Sequence, residues 1–171
     1  GSTQQVRVEV TPNAIPNSPA GGSSYPVTMV FSDGTSVDSV RATTTVNAAD
    51  RADSMIRNNG EATYLTDNVY EATPTAQVKS QSVNPGSTAT YEMKLQNDGN
   101  RTQDYTVTGT ASSTGFTVQY FDSLTGGTDV SSSVTGAGLI YSLAAGASQD
   151  VRLVITPTAI PSSPASGTSK P

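Results

Sequence analysis

The sequence predicts an all-β protein built as a Greek-key β-sandwich, and three observations carry that reading. Short runs alternate apolar and polar residues at period two, as in Val6, Val8 and Val10 against Arg7 and Glu9, or Tyr91, Met93 and Leu95 against Thr90, Glu92 and Lys94. Fifteen glycines and ten prolines punctuate the chain into many short segments. Hydrophobic residues make up only 34% of the 171 positions and aromatics 6%, which suits a thin core between two facing sheets. The length fits one domain, or one plus a fragment.

A duplicated stretch organises the chain. Residues 6–26 (VRVEVTPNAIPNSPAGGSSYP) align without a gap to residues 151–171 (VRLVITPTAIPSSPASGTSKP), an offset of 151 − 6 = 145, with 13 of 21 positions identical. Such a period has to be recognised before the fold is read. It makes the region after Val151 the start of a unit whose remainder, a hairpin over 27–46, is found near the N-terminus.

In chain order, residues 6–10 read as a strand. Prolines at 12, 16, 19 and 26 then exclude helix and central strand, so the segment should cross between sheets or follow an edge. Val27, Met29 and Phe31 alternate, Asp33-Gly34 signals a type I′ hairpin turn, and Val37–Val46 returns with Val40, Ala42, Thr44 and Val46 on one face. Residues 47–75 read as a connector, with a short helix over Ala48–Ile56 capped by Asn47. Ala76–Val83 reads as a strand, Asn84-Pro85-Gly86-Ser87 as a type II turn, and Thr88–Gln96 as the clearest strand of the chain. Asn97-Asp98-Gly99-Asn100 has the composition of another hairpin-type turn. Further short segments follow around Tyr105, Phe116–Tyr120, Val130–Val134, Leu139–Leu143 and Gln149–Ile155. Three units emerge: 1–46 as the closing strands of a repeat, 47–75 as connector, and 76–171 as a sandwich lacking its last hairpin.

The stretch TATYEMKLQNDGNRTQDYTVTGT, with GFTVQYFD, GGTDV and LAAGASQDVRLVITP, resembles the Ig-like or fibronectin-III-like repeats of large bacterial exported and cell-surface proteins. The shared pattern is a Pro-Gly turn, a strand ending in Asn-x-Gly-Asn, and a Leu-x-x-Gly before a Val-rich strand ending in Thr-Pro. Residues 76–165 carry it, and 26–46 look like the end of the same unit. The resemblance implies an Ig-like sandwich and an extracellular stalk, adhesive or filament role without a catalytic site.

Composition narrows the chemistry. There is no Cys, His or Trp, so disulfides, thiolate metal sites and the commonest general base are all missing. A net charge of −5 with only nine basic residues, none clustered, argues against nucleic acid as a partner. No apolar run approaches the roughly 18 residues of a membrane span, and no signal-peptide pattern is present. Gly1-Ser2 reads as a cloning scar or as the point where a longer or processed chain begins. Acidity, low Lys and high Ser/Thr suit an exported protein. No GxSxG, SxxK or P-loop motif occurs, so no enzyme activity is expected.

Several residues invite a binding role. Asp98, Asn100 and Asp104, with Asn97 beside them, place oxygen-bearing side chains around one turn, a weak Ca²⁺ candidate. Turn geometry explains the same residues, and no other cofactor is implied. Asp122 and Asp129 are more distant contributors. Lys94 near Asn97 brings to mind a Lys–Asn isopeptide cross-link, although Lys94 should point outward. Asn100-Arg101-Thr102 is an N-glycosylation sequon. Tyrosines at 64, 70, 91, 105, 120 and 141 would either line a sugar-binding face or fill the core.

The expected function is a structural subunit or repeat of an extracellular filament or surface stalk, joined to other copies head-to-tail by β-strand complementation. The residues expected to carry it are Val6, Val8, Val10, Val27, Met29, Phe31 and Val40 on the donor side, and Val151, Leu153 and Ile155 on the acceptor side. The completing hairpin would come from a neighbouring copy, from the same chain folded back, or from the next repeat of a continuous array. The alternative function is a carbohydrate-binding or adhesive module.

Overall fold

The structure, a computed structural model, describes residues 2–160 and 164–170. Pro171, the counterpart of Pro26, and residues 161–163 of the second proline-rich copy lie outside them. The protein is all-β. Its elements are β1 (Ser24–Ser32), β2 (Val37–Thr45), β3 (Ala52–Asn58), β4 (Ala89–Asn97), β5 (Gln103–Val107), β6 (Phe116–Phe121), the single helical turn α1 (Ser131–Val134), β7 (Leu139–Leu143) and β8 (Ser148–Pro157). They form three antiparallel sheets: a four-stranded sheet in the order β3-β4-β8-β6, a small sheet β5-β7, and the separate hairpin β1-β2.

The four-stranded and small sheets close on each other around Val118, Tyr120, Val134 and Val151, of which Val134 and Val151 are 1% and 2% exposed. Leu139 and Tyr141 of β7 pack against them from the small sheet. Each fully buried side chain of this kind stabilises the fold by about 1.5–3 kcal/mol. Strand β4 has the predicted alternation, with Tyr91 buried and Met93 and Leu95 turned toward the core. Its other face is closed by a ladder of charges. Glu92 is registered between Arg57 and Arg152, and it accepts a hydrogen bond from Arg57 Nε at 2.6 Å. The Asn84–Ser87 turn is as expected: Gly86 takes φ 81° and Ser87 N–H donates to Asn84 O.

Five expectations change. Residues 48–56 are not helical; 52–58 are strand β3, because the edge of β4 offers seven ladder partners, from Ala52↔Asn97 to Asn58↔Tyr91, that outweigh a weak helix propensity. The segment 47–75 is therefore not a separate connector. The sandwich begins at β3 rather than at Ala76, and residues 59–75 fold back over it, with Leu65 N–H donating to Ile56 O at 2.8 Å. Ala76–Val83 joins no ladder; side chains fasten it instead, Lys79 to Glu61 and Gln81 to Thr90 O and Asn58. Asn97–Asn100 is no hairpin turn but the crossing from the large sheet to the small one. The β1–β2 turn is a four-residue loop, closed by Asp33 Oδ1 accepting from the N–H groups of Thr35 and Ser36, with positive φ at Gly34 alone.

A further change concerns the duplicated stretch. Residues 151–155 sit in the middle of β8 between β4 and β6, whereas their near-copy at 6–10 belongs to no sheet. Equal sequence gives unequal structure because a strand needs neighbours, and only the second copy has them. Further along, the copies converge again. Ser23 N–H donates to Ala20 O at 3.0 Å and Thr168 N–H to Ala165 O at 3.1 Å, with Gly22 at φ 90° and Gly167 at φ 84°. The same turn thus forms at both ends of the 145-residue offset.

Candidate functional site

The groove is the first half of the site. The small sheet is only two strands wide, so it leaves part of the apolar face of the large sheet open. The opening holds about 260 Å³ and is floored by Met93, Leu95, Val151, Leu153 and Ile155, with Val107–Thr110 on one wall. Of the expected acceptor residues, Val151 is buried at the bottom, and Leu153 and Ile155 are half-buried in the floor. On β5, Gln103, Tyr105 and Val107 face inward, and among the described residues only β7 pairs with this strand. Its other edge presents unpaired backbone donors and acceptors, the feature that invites another strand.

The hairpin is the second half. Directly opposed residues share a face, and the register pairs Tyr25 with Thr44, Val27 with Ala42, Met29 with Val40 and Phe31 with Asp38. One face is thus apolar over most of its length and the other is mainly Ser, Thr and Arg. No part of the hairpin is buried: Tyr25, Phe31 and Val40 are 51–66% exposed. It is not folded back on the sandwich. Val27 and Met29 are half-exposed, while Val6 and Val8 lie open on an unpaired segment with Val10 half-buried beside them.

Between the two halves lies a polar clamp. Asn100, 3% exposed, donates from Nδ2 to Ser18 Oγ (3.0 Å), Pro19 O (3.2 Å) and Asn47 O (3.0 Å), and its Oδ1 accepts from Ala49 N–H (2.8 Å). Its backbone accepts from Gly21 N–H and donates to Ala49 O. Arg101 adds a bidentate pair with Asp50 at 2.6 Å, which holds that carboxyl below the usual carboxylate range. Asn97 and Asp98, both 0% exposed, complete it. Asn97 bridges Arg101 O, Leu143 O and the Tyr105 hydroxyl, and Asp98 accepts from Tyr70 and Gln96 at 2.7 Å each. Gly99 fits because a Cβ there would lie 2.6 Å from Ala49 O. The clamp grips both ends of the hairpin, at 18–21 and 47–50.

The clamp accounts for the oxygen-rich turn differently from a cation site. The side chains of Asp98 and Asn100 are engaged with protein partners, and three of Asn100's four side-chain bonds are donated, which a cation would repel. Asp104 lies exposed on β5, and the three are not brought together. Among the described residues no group of three or more acidic side chains converges. The amide of the sequon Asn100 is likewise fully engaged. Lys94 faces away from Asn97, with its ammonium 4.9 Å from the Tyr64 ring centroid on the outer face.

The tyrosines do not assemble into one platform. Tyr91 and Tyr120 are buried, Tyr105 and Tyr70 serve the clamp, and Tyr64 stacks under Arg57 and Lys94. Burial pushes the hydroxyls of Tyr120, Tyr141, Tyr64 and Tyr105 above the ordinary phenol range. Asp53 is the buried carboxyl with an unanswered oxygen. Its Oδ2 accepts from Asn68 N–H, its Oδ1 has no partner among the described residues, and desolvation raises its pKa.

No protein-family model, curated protein or solved structure matches this chain. Of the clamp residues, the sequence offers Asn47 only as a helix cap, Arg101 only within the sequon and Pro19 only as a break, and nothing in it marks Ser18 or Asp50. The signal available was the pair of asparagines at 97 and 100, whose amides donate as well as accept and so suit interlocking loops better than a cation.

Proposed function

We propose that this chain is a structural subunit or repeat of an extracellular filament or surface stalk, and that successive copies join head-to-tail by strand complementation. The supporting observation is that one chain carries both an open apolar groove with a free strand edge and an exposed hairpin with an apolar face. We read the order β3-β4-β8-β6 as strands A-B-E-D of an Ig-type sandwich, with β5 as strand C and β7 as an added strand on one edge of it. The strands wanting from that plan are F and G, the hairpin that follows E. The chain's hairpin follows a near-copy of β8 and fits the description.

A contact between two different surfaces on identical subunits does not close on itself, so it propagates as a fibre. The clamp would then fix the direction in which each hairpin projects, and with it the rise and turn between units. The acidic, Lys-poor and Ser/Thr-rich composition accords with an exported scaffold.

Light scattering coupled to size-exclusion chromatography, over a range of concentrations, tests the reading. Concentration-dependent growth in mass, with filaments or chains visible by negative stain, is the expected result. A compact monomer at every concentration overturns it.

A further inference from the structure

We infer that the groove is filled by the β1–β2 hairpin of a second copy, with β1 running antiparallel along the free edge of β5 so that Val27 lies opposite Val107, Met29 opposite Tyr105 and Phe31 opposite Gln103. This rests on the complementation reading above and adds the edge, the direction and the register.

The direction follows from the duplicated stretch. After β8 the chain repeats the turn seen before β1, and Lys170, the counterpart of Tyr25, borders the groove together with Thr108, Gly109 and Thr110. Tyr25 is the second residue of β1. A hairpin occupying its place in the repeat therefore begins at the C-terminal end of β5 and runs toward Gln103. That is an antiparallel course, and the middle of the three bordering residues, Gly109, is the level assigned to Tyr25.

The register follows from the faces. Directly opposed residues share a face, so inward Val27, Met29 and Phe31 must oppose inward residues of β5, which are Gln103, Tyr105 and Val107. A slip of one residue would turn the apolar face of the hairpin to solvent. The level of Tyr25 selects among the two-residue slips that remain. In this arrangement Met29 and Val40, cross-strand partners, enter the groove together over Met93, Leu95 and Leu153, and the small sheet grows to β7-β5-β1-β2.

The same chain cannot supply its own hairpin in this geometry while the clamp holds both hairpin ends at the crossing turn. Among the residues of this sequence, only the hairpin of a second copy can therefore fill the groove.

Paired cysteines test the assignment against a chain that has none. Thr28 and Thr106 are exposed on the outward faces and are direct neighbours in the proposed register. Their Cα separation would be about 4.5–5.5 Å, within disulfide reach. Thr28→Cys with Thr106→Cys should give, on mild oxidation, a ladder of covalent multimers on a non-reducing gel. The slipped combinations Thr28→Cys with Asp104→Cys, or with Thr108→Cys, should give at least tenfold less. Mixing the two single variants should give dimers only. A stronger ladder from a slipped pair overturns the register. Intramolecular disulfide in a monomer overturns the second copy as occupant. Assembly by light scattering with no ladder from any pair overturns this docking but leaves the filament reading standing. A compact monomer overturns both.

Discussion

Removing the Asn100 side chain tests whether the clamp, rather than the hairpin itself, orients the N-terminal segment. Asn100→Ala deletes four hydrogen bonds, to Ser18, Pro19, Asn47 and Ala49. At a net 0.5–1.5 kcal/mol each, these amount to about 2–6 kcal/mol. Pro19 and Asn47 are exposed enough to accept water instead, so the lower half of that range applies, about 3 kcal/mol. The loss should fall on local opening of residues 18–22 and 46–50, because the core around Val151 and Tyr120 makes no use of Asn100. At about 1.4 kcal/mol per factor of ten, amide exchange at Gly21, which donates to Asn100 O, should accelerate about 100-fold. The amides of β8 should keep their protection. Asn100→Asp should be worse than Asn100→Ala, since a carboxylate would face the carbonyls of Pro19 and Asn47. Unchanged exchange at Gly21, or equal loss of protection at Gly21 and in β8, would refute the idea of a discrete clamp.

Three further outcomes follow from the same geometry. Gly99→Ala forces a Cβ to within 2.6 Å of Ala49 O and 2.9 Å of Asn97 Oδ1, and should lower clamp stability by about 2 kcal/mol, read by urea unfolding and by exchange at Asp98, whose N–H donates to Arg51 O. Asp53 has its folded-state pKa raised, chiefly by desolvation, so its protonation favours the fold at acid pH and that contribution is lost as pH rises through the folded value. Asp53→Asn, which keeps an acceptor for Asn68 N–H, should stabilise the protein by about 1 kcal/mol at pH 7, with the advantage shrinking toward pH 4 in parallel urea titrations; an advantage that grows on acidification contradicts the sign. Met29→Asp should reduce self-association at least tenfold by light scattering while leaving the melting temperature of the sandwich unchanged, because burying an unpaired carboxylate is unfavourable only in the docked state.

The strands that were legible in the sequence are those whose pattern is set by burial on one face. β4 reads clearly because Tyr91, Met93 and Leu95 alternate with Glu92 and Lys94. The apolar face of the hairpin was legible from Val27, Met29 and Val40, but its register was not: a type I′ turn at Asp33-Gly34 would pair Ser32 with Thr35, and the structure pairs Ser32 with Val37. β3 was hidden. Its residues ADSMIRN carry both Asp53 and Arg57 into polar contacts, so no apolar alternation announces a strand, and its state is decided by the open edge of β4. The clamp was hidden for a related reason. Asn97, Asp98, Gly99 and Asn100 are the residues a simple turn would use, and only the arrival of Ser18, Asn47 and Asp50 from more than 45 positions away distinguishes an inter-segment lock from a turn. The groove was inferred from a count of strands, and its extent depends on the width of the small sheet, which local sequence does not encode.

The two copies of the duplicated stretch separate what sequence determines from what partners determine. The Ala20–Ser23 and Ala165–Thr168 turns form alike because a glycine at positive φ and one backbone hydrogen bond suffice to make them, and both are local. The strands VRVEV and VRLVI do not form alike, because a strand's backbone groups are satisfied by neighbours, which β4 and β6 supply only to the second. By the same reasoning residues 6–10 become β structure only when sheets like β4 and β6 come alongside. A second copy's β8 already occupies its own such place, so docking of the hairpin alone leaves residues 6–10 unpaired. Within an assembly, amide protection should therefore appear along β1 and at the β5 edge and be missing from Val6–Val10. Protection of Val6–Val10 to the level of β8 would mean that a different pairing, with the first copy inside a sheet, builds the assembly.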